Sequence, residues 1–416
     1  MEFKKGDYSL LICISRGENM RKTGIILSDE HFGVIDADRL LDEHEKIVIS
    51  YINTLDSLDF IIITGDFFDH ILQLNERHAK NACKFMNELF QIAKKYNSKI
   101  RIVYGTESHE CNQYTIFKEI DDYHSDVDVR LIRHACEEEL FPEMYVLYLP
   151  EEYIYNKSEY YKEFFTNNKK YHYIFGHGII QELMSDASYH ITKSTKSSNR
   201  AKVPIFNSKE LIENCCGEVY FGHYHIHSSI QDKIFYVGSF TRWCFGEEEP
   251  KGFYHIEYDD GKYHHTFIEN TMAESFNTIS YGYDSKIFND IDTMNQELDK
   301  IEKFVKNGIM NNIRIILNIP DDYENPEGLI KMMGERFKNH PSVKTKITNG
   351  YVSKSHKINK EYLNESVKKY GFIFDKNMPI AEQAHLFIKE KYEKEIDSKR
   401  IEWHLTTTDV LAEECE

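Results

Sequence analysis

The sequence predicts an α/β protein whose first part pairs its strands in parallel. Three observations carry that expectation. The run "DFIIIT" (residues 59–64) is continuously apolar, the pattern of a strand covered on both faces. Strand-like and helix-like segments alternate from residue 23 to residue 104. Helical periodicity then thins out, and a series of short strands follows, enough to form or complete a second sheet.

The elements come in this order. "TGIILS" (23–28) is the first strand. Residues 39–55 space Leu40, Leu41, Ile47, Val48, Tyr51 and Ile52 along one helical face. "DFIIIT" is the second strand, residues 75–96 are a helix, and "KIRIVY" is the third strand. The later strands are "VDVRLIR", "EMYVLYL", "YHYIFG", "EVYFG", "IFYVGS", "GFYHIEY" and "YHHTFIE". Residues 187–203 form a polar, basic loop holding Lys193, Lys196, Arg200 and Lys202. Its charges suit either phosphate contact or plain solvation. Around residue 271 the character changes. A helix at 289–306, the strand "NIRIILNI", a helix at 325–338 and the strand "SVKTKIT" predict a small separate α/β unit. From about 355 the chain is rich in Lys and Glu, with helical spacing near 359–370 and 379–398. The expected organisation is therefore 1–270, 271–354 and a helical tail, 355–416.

Bulk properties narrow the classes. A chain of 416 residues, 41% hydrophobic, can bury a sizeable core in two or three domains. The formal net charge of -18 repels nucleic acid over the surface as a whole. Attraction to DNA would have to come from bound cations, a local basic patch or a partner. The 8 cysteines form no CxxC pair, which argues against a zinc ribbon or a thioredoxin-type site and suits a reducing compartment. No apolar run approaches the roughly 20 residues of a membrane span. A cytoplasmic protein without a membrane segment is expected. "MRKTGIILSDEHFG" opens directly into a strand, so Met20 is an alternative natural start.

Five strand ends share one design. "LSDEHFG" places Asp29 and His31 two apart, and "ITGDFFDH" places Asp66 directly after a strand with Asp69 and His70 following. "GTESHE" presents Ser108 and His109, "YIFGHG" presents His177, and "YFGHYHIH" presents His223 and His225. In extended chain, side chains at i and i+2 point the same way, so each two-apart pair is expected to grip one object. Ligand sites of parallel sheets lie at the carboxyl ends of strands. Each stretch alone is a weak signal, since such residues are more often caps or turn residues. Their joint occurrence is the informative feature. Carboxylate and imidazole ligands without thiolate suit manganese, iron or zinc. The set is too large for one ion, and two ions about 3.5–4 Å apart clamp a phosphorus centre for in-line attack. Asp66 is the natural bridging carboxylate.

The order D-x-H, G-D-x-x-D, S-H-E, G-H-G, G-H-x-H resembles the calcineurin-like metallophosphoesterases. The continuation "YVGSFTRWCFGEEEPKGF" resembles the Y-x-G-S…R…F-G-E…K-G-F stretch of the SbcD family, the nuclease subunits of double-strand-break repair. The likeness covers roughly residues 23–260. It implies a two-sheet α/β/β/α sandwich with a small α/β cap domain and a helical C-terminal tail. It also implies two divalent ions, manganese foremost. Asp29, His31, Asp66 and His225 would hold the first ion, and Asp66, His177 and His223 the second. A water activated by the cations would be the nucleophile. His109 would serve as general acid or hydrogen-bond donor, and Asp69 would orient His109 or substrate. The family's G-N-H-D or G-N-H-E supplies an Asn ligand to the second ion. Here the segment is two residues longer, and Ser108, directly or through water, or Asn112 would take that duty.

The resemblance further implies a DNA exonuclease or endonuclease acting in repair, recombination or replication. Its partner would be an SbcC-like coiled-coil ATPase, with a homodimer of this chain inside a heterotetramer. The chain has no G-x-x-x-x-G-K-S/T loop of its own, so ATP dependence would come from that partner. Residues 355–416 would dock on it. The alternatives are a stand-alone phosphatase or cyclic-nucleotide phosphodiesterase on the same fold, and a non-catalytic binding subunit.

Overall fold

The computed structural model describes residues 21–117, 126–154, 156–167, 169–183, 204–307, 311–320 and 323–349, together with Glu382 and Leu386. The basic loop of 187–203, the start at Met20 and, apart from those two positions, the tail from 355 lie outside the described residues. The described chain divides into two compact units. One runs to Thr278 and includes Phe304–Arg314; the other is Ile279–Lys303 with the chain from Ile315 onward.

The first unit is mixed α/β, with two large mixed sheets. β1 (Arg21–Leu27), β2 (Phe60–Ile63), β3 (Lys99–Val103) and β4 (Asp128–Ile132) pair in parallel in chain order. The helix Ala37–Glu43 continues through a π-type segment, His44–Ile49, into Ser50–Ile52 and connects β1 to β2. The helix Arg77–Tyr96 connects β2 to β3. It buries Ala79, Ala82, Phe85, Met86, Leu89 and Phe90, an i, i+3, i+4 stripe. It stops at Asn97, a left-handed cap whose N–H returns to the Ala93 carbonyl.

β5 (Cys136–Phe141), β6 (Met144–Leu149) and β7 (Tyr171–His177) begin a second sheet. A two-residue pair, β8 (Ile179–Ile180) and β9 (Ile205–Phe206), precedes β10 (Cys215–Gly222), β11 (Ser228–Ile230) and β12 (Ile234–Tyr236). The second sheet runs β11-β12-β10-β7-β6-β5. β13 (Gly252–Asp259) and β14 (Lys262–Glu269) then return to the first sheet, giving the order β14-β13-β1-β2-β3-β4. This corrects the expectation that the later strands go to a second sheet: β4, β13 and β14 belong to the first. The physical reason lies at β1, whose residues 23–27 are wholly buried, so its outer edge needs a partner strand. β13 supplies one, antiparallel, with Phe253, Tyr254, Ile256 and Tyr258 also buried.

Alternation along the strands builds the layers. Ile25, Leu27, Ile61 and Ile63 join the core with Phe85 and Leu89 of the Arg77–Tyr96 helix. Their neighbours Ile26, Phe60 and Ile62 face the other way, onto Val146, Tyr173, Phe175 and Tyr220 of the second sheet. Leu147, Ile174, Val219 and Phe221 fill a third core with Leu211 of the helix Ser208–Asn214. Period-two alternation thus gives two sheets face to face, with helices on both outer faces.

Beyond the sandwich, β15 (Phe276–Tyr281), β16 (Asn312–Ile319) and β17 (Val343–Asn349) form a three-stranded sheet. The helices Ile291–Lys306 and Pro326–Arg336 interleave with these strands in sequence.

Candidate metal centre

Strand ends from both sheets deliver the candidate residues. Asp29 and His31 follow β1, Asp66 follows β2, His177 closes β7, and His223 and His225 follow β10. The loops after β1 and β2 are laced together by backbone hydrogen bonds. Asp29 N–H donates to the Gly65 carbonyl (3.1 Å), His31 N–H to that of Asp66 (3.1 Å), and Phe32 N–H to that of Phe67 (2.9 Å). Asp29 (φ 50°), His31 (46°), Asp66 (51°) and His223 (100°) all have left-handed backbone. Each costs roughly 1–2 kcal/mol for a residue with a Cβ, and such strain collects where geometry is functional.

These angles correct the strand-periodicity argument. Asp29 and His31 converge through left-handed turns, and the two-apart pair His223/His225 separates. His225 joins Asp29 and His31 in one potential metal-holding group, and His223 joins Glu151 and His177 in another. A third group, Asp29, Asp66 and His177, lies between them. Asp66 Oδ2 is 3.3 Å from His177 Nε2 and 3.9 Å from His31 Nε2, so it sits where both groups reach it.

The tautomers suit a cation. His177 Nδ1 donates to the Thr64 carbonyl (2.7 Å), which leaves Nε2 facing Asp66, where it carries a proton or meets a cation. His31 Nδ1 faces Asp69 Oδ1 at 3.4 Å, and His225 Nδ1 faces Glu247 Oε1 at 3.5 Å. Their Nε2 atoms point at each other 3.1 Å apart. Two imidazole lone pairs at that distance repel unless a proton or a metal ion lies between them. The side chains of Asp29, His31, Asp66 and His177 are at most 4% exposed. The donor set therefore fits a divalent ion of the imidazole-and-carboxylate type. Glycines keep the space clear. A Cβ on Gly65 would lie 2.3 Å from His177 Nδ1, and one on Gly105 would lie 2.4 Å from Asp66 Oδ1.

Charge follows geometry. Burial alone would raise the Asp66 carboxyl, but His177, His31 and His109 outweigh it and hold it well below the usual carboxylate range. For His177 burial works downward, yet Asp66, with Asp29 and Glu151 behind it, lifts the ring to about 10. His225 also rises, because Glu247 and Asp29 overcome its burial. Asp69 falls to about 2, chiefly through His31 and then His70. The centre stabilises positive charge.

His109 is half-buried. Its ring centroid is 5.0 Å from that of His31, and its Nδ1 is 2.5 Å from the Asp69 backbone carbonyl. Asp69 thus meets two rings: its carboxylate faces His31 Nδ1, and its backbone carbonyl accepts from His109 Nδ1. Trp243 packs edge-on against His31 and His225, with centroids at 5.1 and 4.7 Å. The fully buried Lys251 donates to the His225 carbonyl (2.7 Å) and to Glu249 (2.9 Å), fixing the loop after β10.

Ser108 is exposed on the short helix Glu107–Glu110, and Asn112 Oδ1 accepts from Arg133. The side chain that reaches the cluster from this segment is Thr106, directly after Gly105. Its Oγ1 lies 3.2 Å from Asp66 Oδ2, 3.4 Å from Glu151 Oε2 and 3.5 Å from His177 Nε2. Sequence reasoning missed Thr106, and it missed Glu151, which follows β6 by two residues. The signal for Glu151 was the design seen elsewhere, an apolar strand ("YVLYL") ending at an acid.

No family model matches the chain, and no curated protein matches it. Among solved structures, one crystal structure aligns over 60% of this chain and 100% of its own length, at 12% identity with a TM-score of 0.34. A likeness that slight carries no inference about fold or chemistry.

Proposed function

We propose that the chain is a dinuclear metal-dependent phosphodiesterase of the calcineurin-like metallophosphoesterase type, cutting DNA as the nuclease subunit of an SbcC–SbcD-like complex. One observation carries the reading: five strand ends from two sheets converge on two imidazole-and-carboxylate groups, Asp29/His31/His225 and Glu151/His177/His223, with Asp66 between them beside His177 and Asp29. Asp29, His31, Asp66 and His225 would hold one ion, and Asp66, His177 and His223 would anchor the other. When bound, a pair of divalent ions, manganese foremost, lowers the pKa of a water and neutralises charge on a phosphoryl group. The protein's own part is placement. Asp69 and Glu247 set the ring orientations of His31 and His225, and His109 has its Nδ1 fixed on a carbonyl. Any proton it exchanges with a leaving oxygen therefore passes through Nε2. The DNA assignment and the ATPase partner rest on the sequence resemblance, chiefly the F-G-E…K-G-F stretch after the second sheet.

The test is direct. The purified chain should hold divalent metal, cleave linear DNA with manganese, and lose cleavage with EDTA. Hydrolysis of phosphomonoesters or cyclic nucleotides, with intact DNA left untouched, would replace the nuclease reading with a phosphatase or phosphodiesterase.

A further inference from the structure

We infer that Glu151 is a direct carboxylate ligand of the second ion. The inference rests on the two-ion reading above and deepens it at one site.

The second group is short of a ligand when read from sequence. Asp66, His177 and His223 supply three side chains, and the loop "GTESHE" brings the Thr106 hydroxyl close. A neutral hydroxyl is a weak ligand beside carboxylate and imidazole. Glu151 fills the gap from another strand. Its Oε2 lies 3.0 Å from His223 Nδ1, 3.4 Å from Thr106 Oγ1 and 3.7 Å from His177 Nε2. Neighbouring ligands around one ion, each roughly 2.1 Å from it, lie about 3 Å or a little more from one another. The side chain is completely buried. Burial would raise its carboxyl, but His223 and His177 bring it below its ordinary value.

The other oxygen has a separate duty. Tyr153 Oη donates to Glu151 Oε1 (2.6 Å), and the Glu151 backbone N–H donates to the Tyr104 carbonyl (3.1 Å). The carboxylate is thereby held with one oxygen satisfied and one presented to the cluster, the arrangement that outer hydrogen bonds give to metal ligands. Tyr153 is a positioning residue in this scheme.

The consequence is a matched pair of sites. Asp29 and Asp66 face one ion, and Asp66 and Glu151 face the other, so each ion meets two carboxylates and two imidazoles. A neutral amide in place of Glu151 would leave the second ion with a single, shared carboxylate.

Metal content after exhaustive dialysis, with manganese titration calorimetry, tests this without any activity assay. Wild type should bind two equivalents. Glu151→Gln should keep one, with the other weakened at least tenfold, and Asp66→Asn should lose both. Adding Thr106→Asn to the Glu151→Gln variant should recover much of the second equivalent, because it places an amide oxygen where Thr106 Oγ1 already lies 3.2 Å from Asp66 Oδ2 and 3.5 Å from His177 Nε2. Circular dichroism confirms that each variant is folded. Wild type with two ions and Glu151→Gln with two equally tight ions overturns the ligand assignment alone. Wild type that holds no divalent ion overturns the two-ion reading and the assignment with it. If Glu151→Gln unfolds, Tyr153→Phe, which leaves the carboxylate in place, should weaken only the second equivalent; unchanged affinity there overturns the assignment.

Discussion

At the scale of single residues, His109 separates binding from chemistry. Its Nδ1 is committed to the Asp69 carbonyl, so it can act on substrate only through Nε2. His109→Ala should retain both metal equivalents and lower DNA cleavage by roughly 10²- to 10⁴-fold, as for a lost general acid. The loss should be much smaller for bis-p-nitrophenyl phosphate, whose phenolate leaves without protonation. Equal losses on both substrates would make His109 a positioning residue, and lost metal would make it a ligand. Much of this centre was legible in sequence, since strands followed by Asp or His mark a site at strand ends whatever the loops do. Thr106 and Glu151 were not. Thr106 is an ordinary loop residue until its hydroxyl is placed, and the strand-end signal at Glu151 is masked by "LPEEY", where two acids after a proline read as a surface turn.

At the scale of elements, β2 and the Arg77–Tyr96 helix were readable because burial dictates their periodicity. β5 was not. Its "CEEELF" looks like a charged loop, and it becomes a strand only because its acids find tertiary partners. Glu138 is the central one. Arg101 on β3 grips it bidentately, Nη2 to Oε1 at 2.8 Å and Nε to Oε2 at 2.9 Å, and Tyr148 adds a third bond at 2.9 Å. Burial would raise the Glu138 carboxyl, but Arg101 and Tyr148 bring it below its ordinary value. A depressed carboxyl gives stability that is present above its unfolded value of about 4.3 and is lost as pH falls through the folded one. Glu138→Gln leaves Arg101 buried with only Asp128 as an anionic partner among these groups. It should cost about 2–3 kcal/mol in urea unfolding at pH 7. The difference from wild type should shrink below pH 4, and a pH-independent difference would mean that packing rather than charge is responsible.

At the scale of the whole molecule, the formal net charge of -18 opposes a polyanionic substrate. Nucleases that grip DNA through Lys and Arg release counterions on binding, so their association weakens steeply with salt, by about 0.9 log units per log unit of salt for each duplex phosphate neutralised. On the proposed reading, the net charge would repel DNA at long range, and cations bound at the metal centre would reverse the sign locally and attract a phosphate there. Screening between about 20 and 150 mM salt shortens the repulsion while leaving short-range metal contacts largely intact. With manganese saturating, kcat/KM of the isolated chain on a short single-stranded oligonucleotide should therefore stay flat or rise over that range. On singly charged bis-p-nitrophenyl phosphate it should barely change. A slope steeper than about -2 on the oligonucleotide would mean that three or more basic side chains contact phosphates, and the basic loop with Lys193, Lys196, Arg200 and Lys202 would be the first place to substitute. If the slope turns negative only when a DNA-binding ATPase is added, the grip on DNA belongs to the partner and the cutting to this chain.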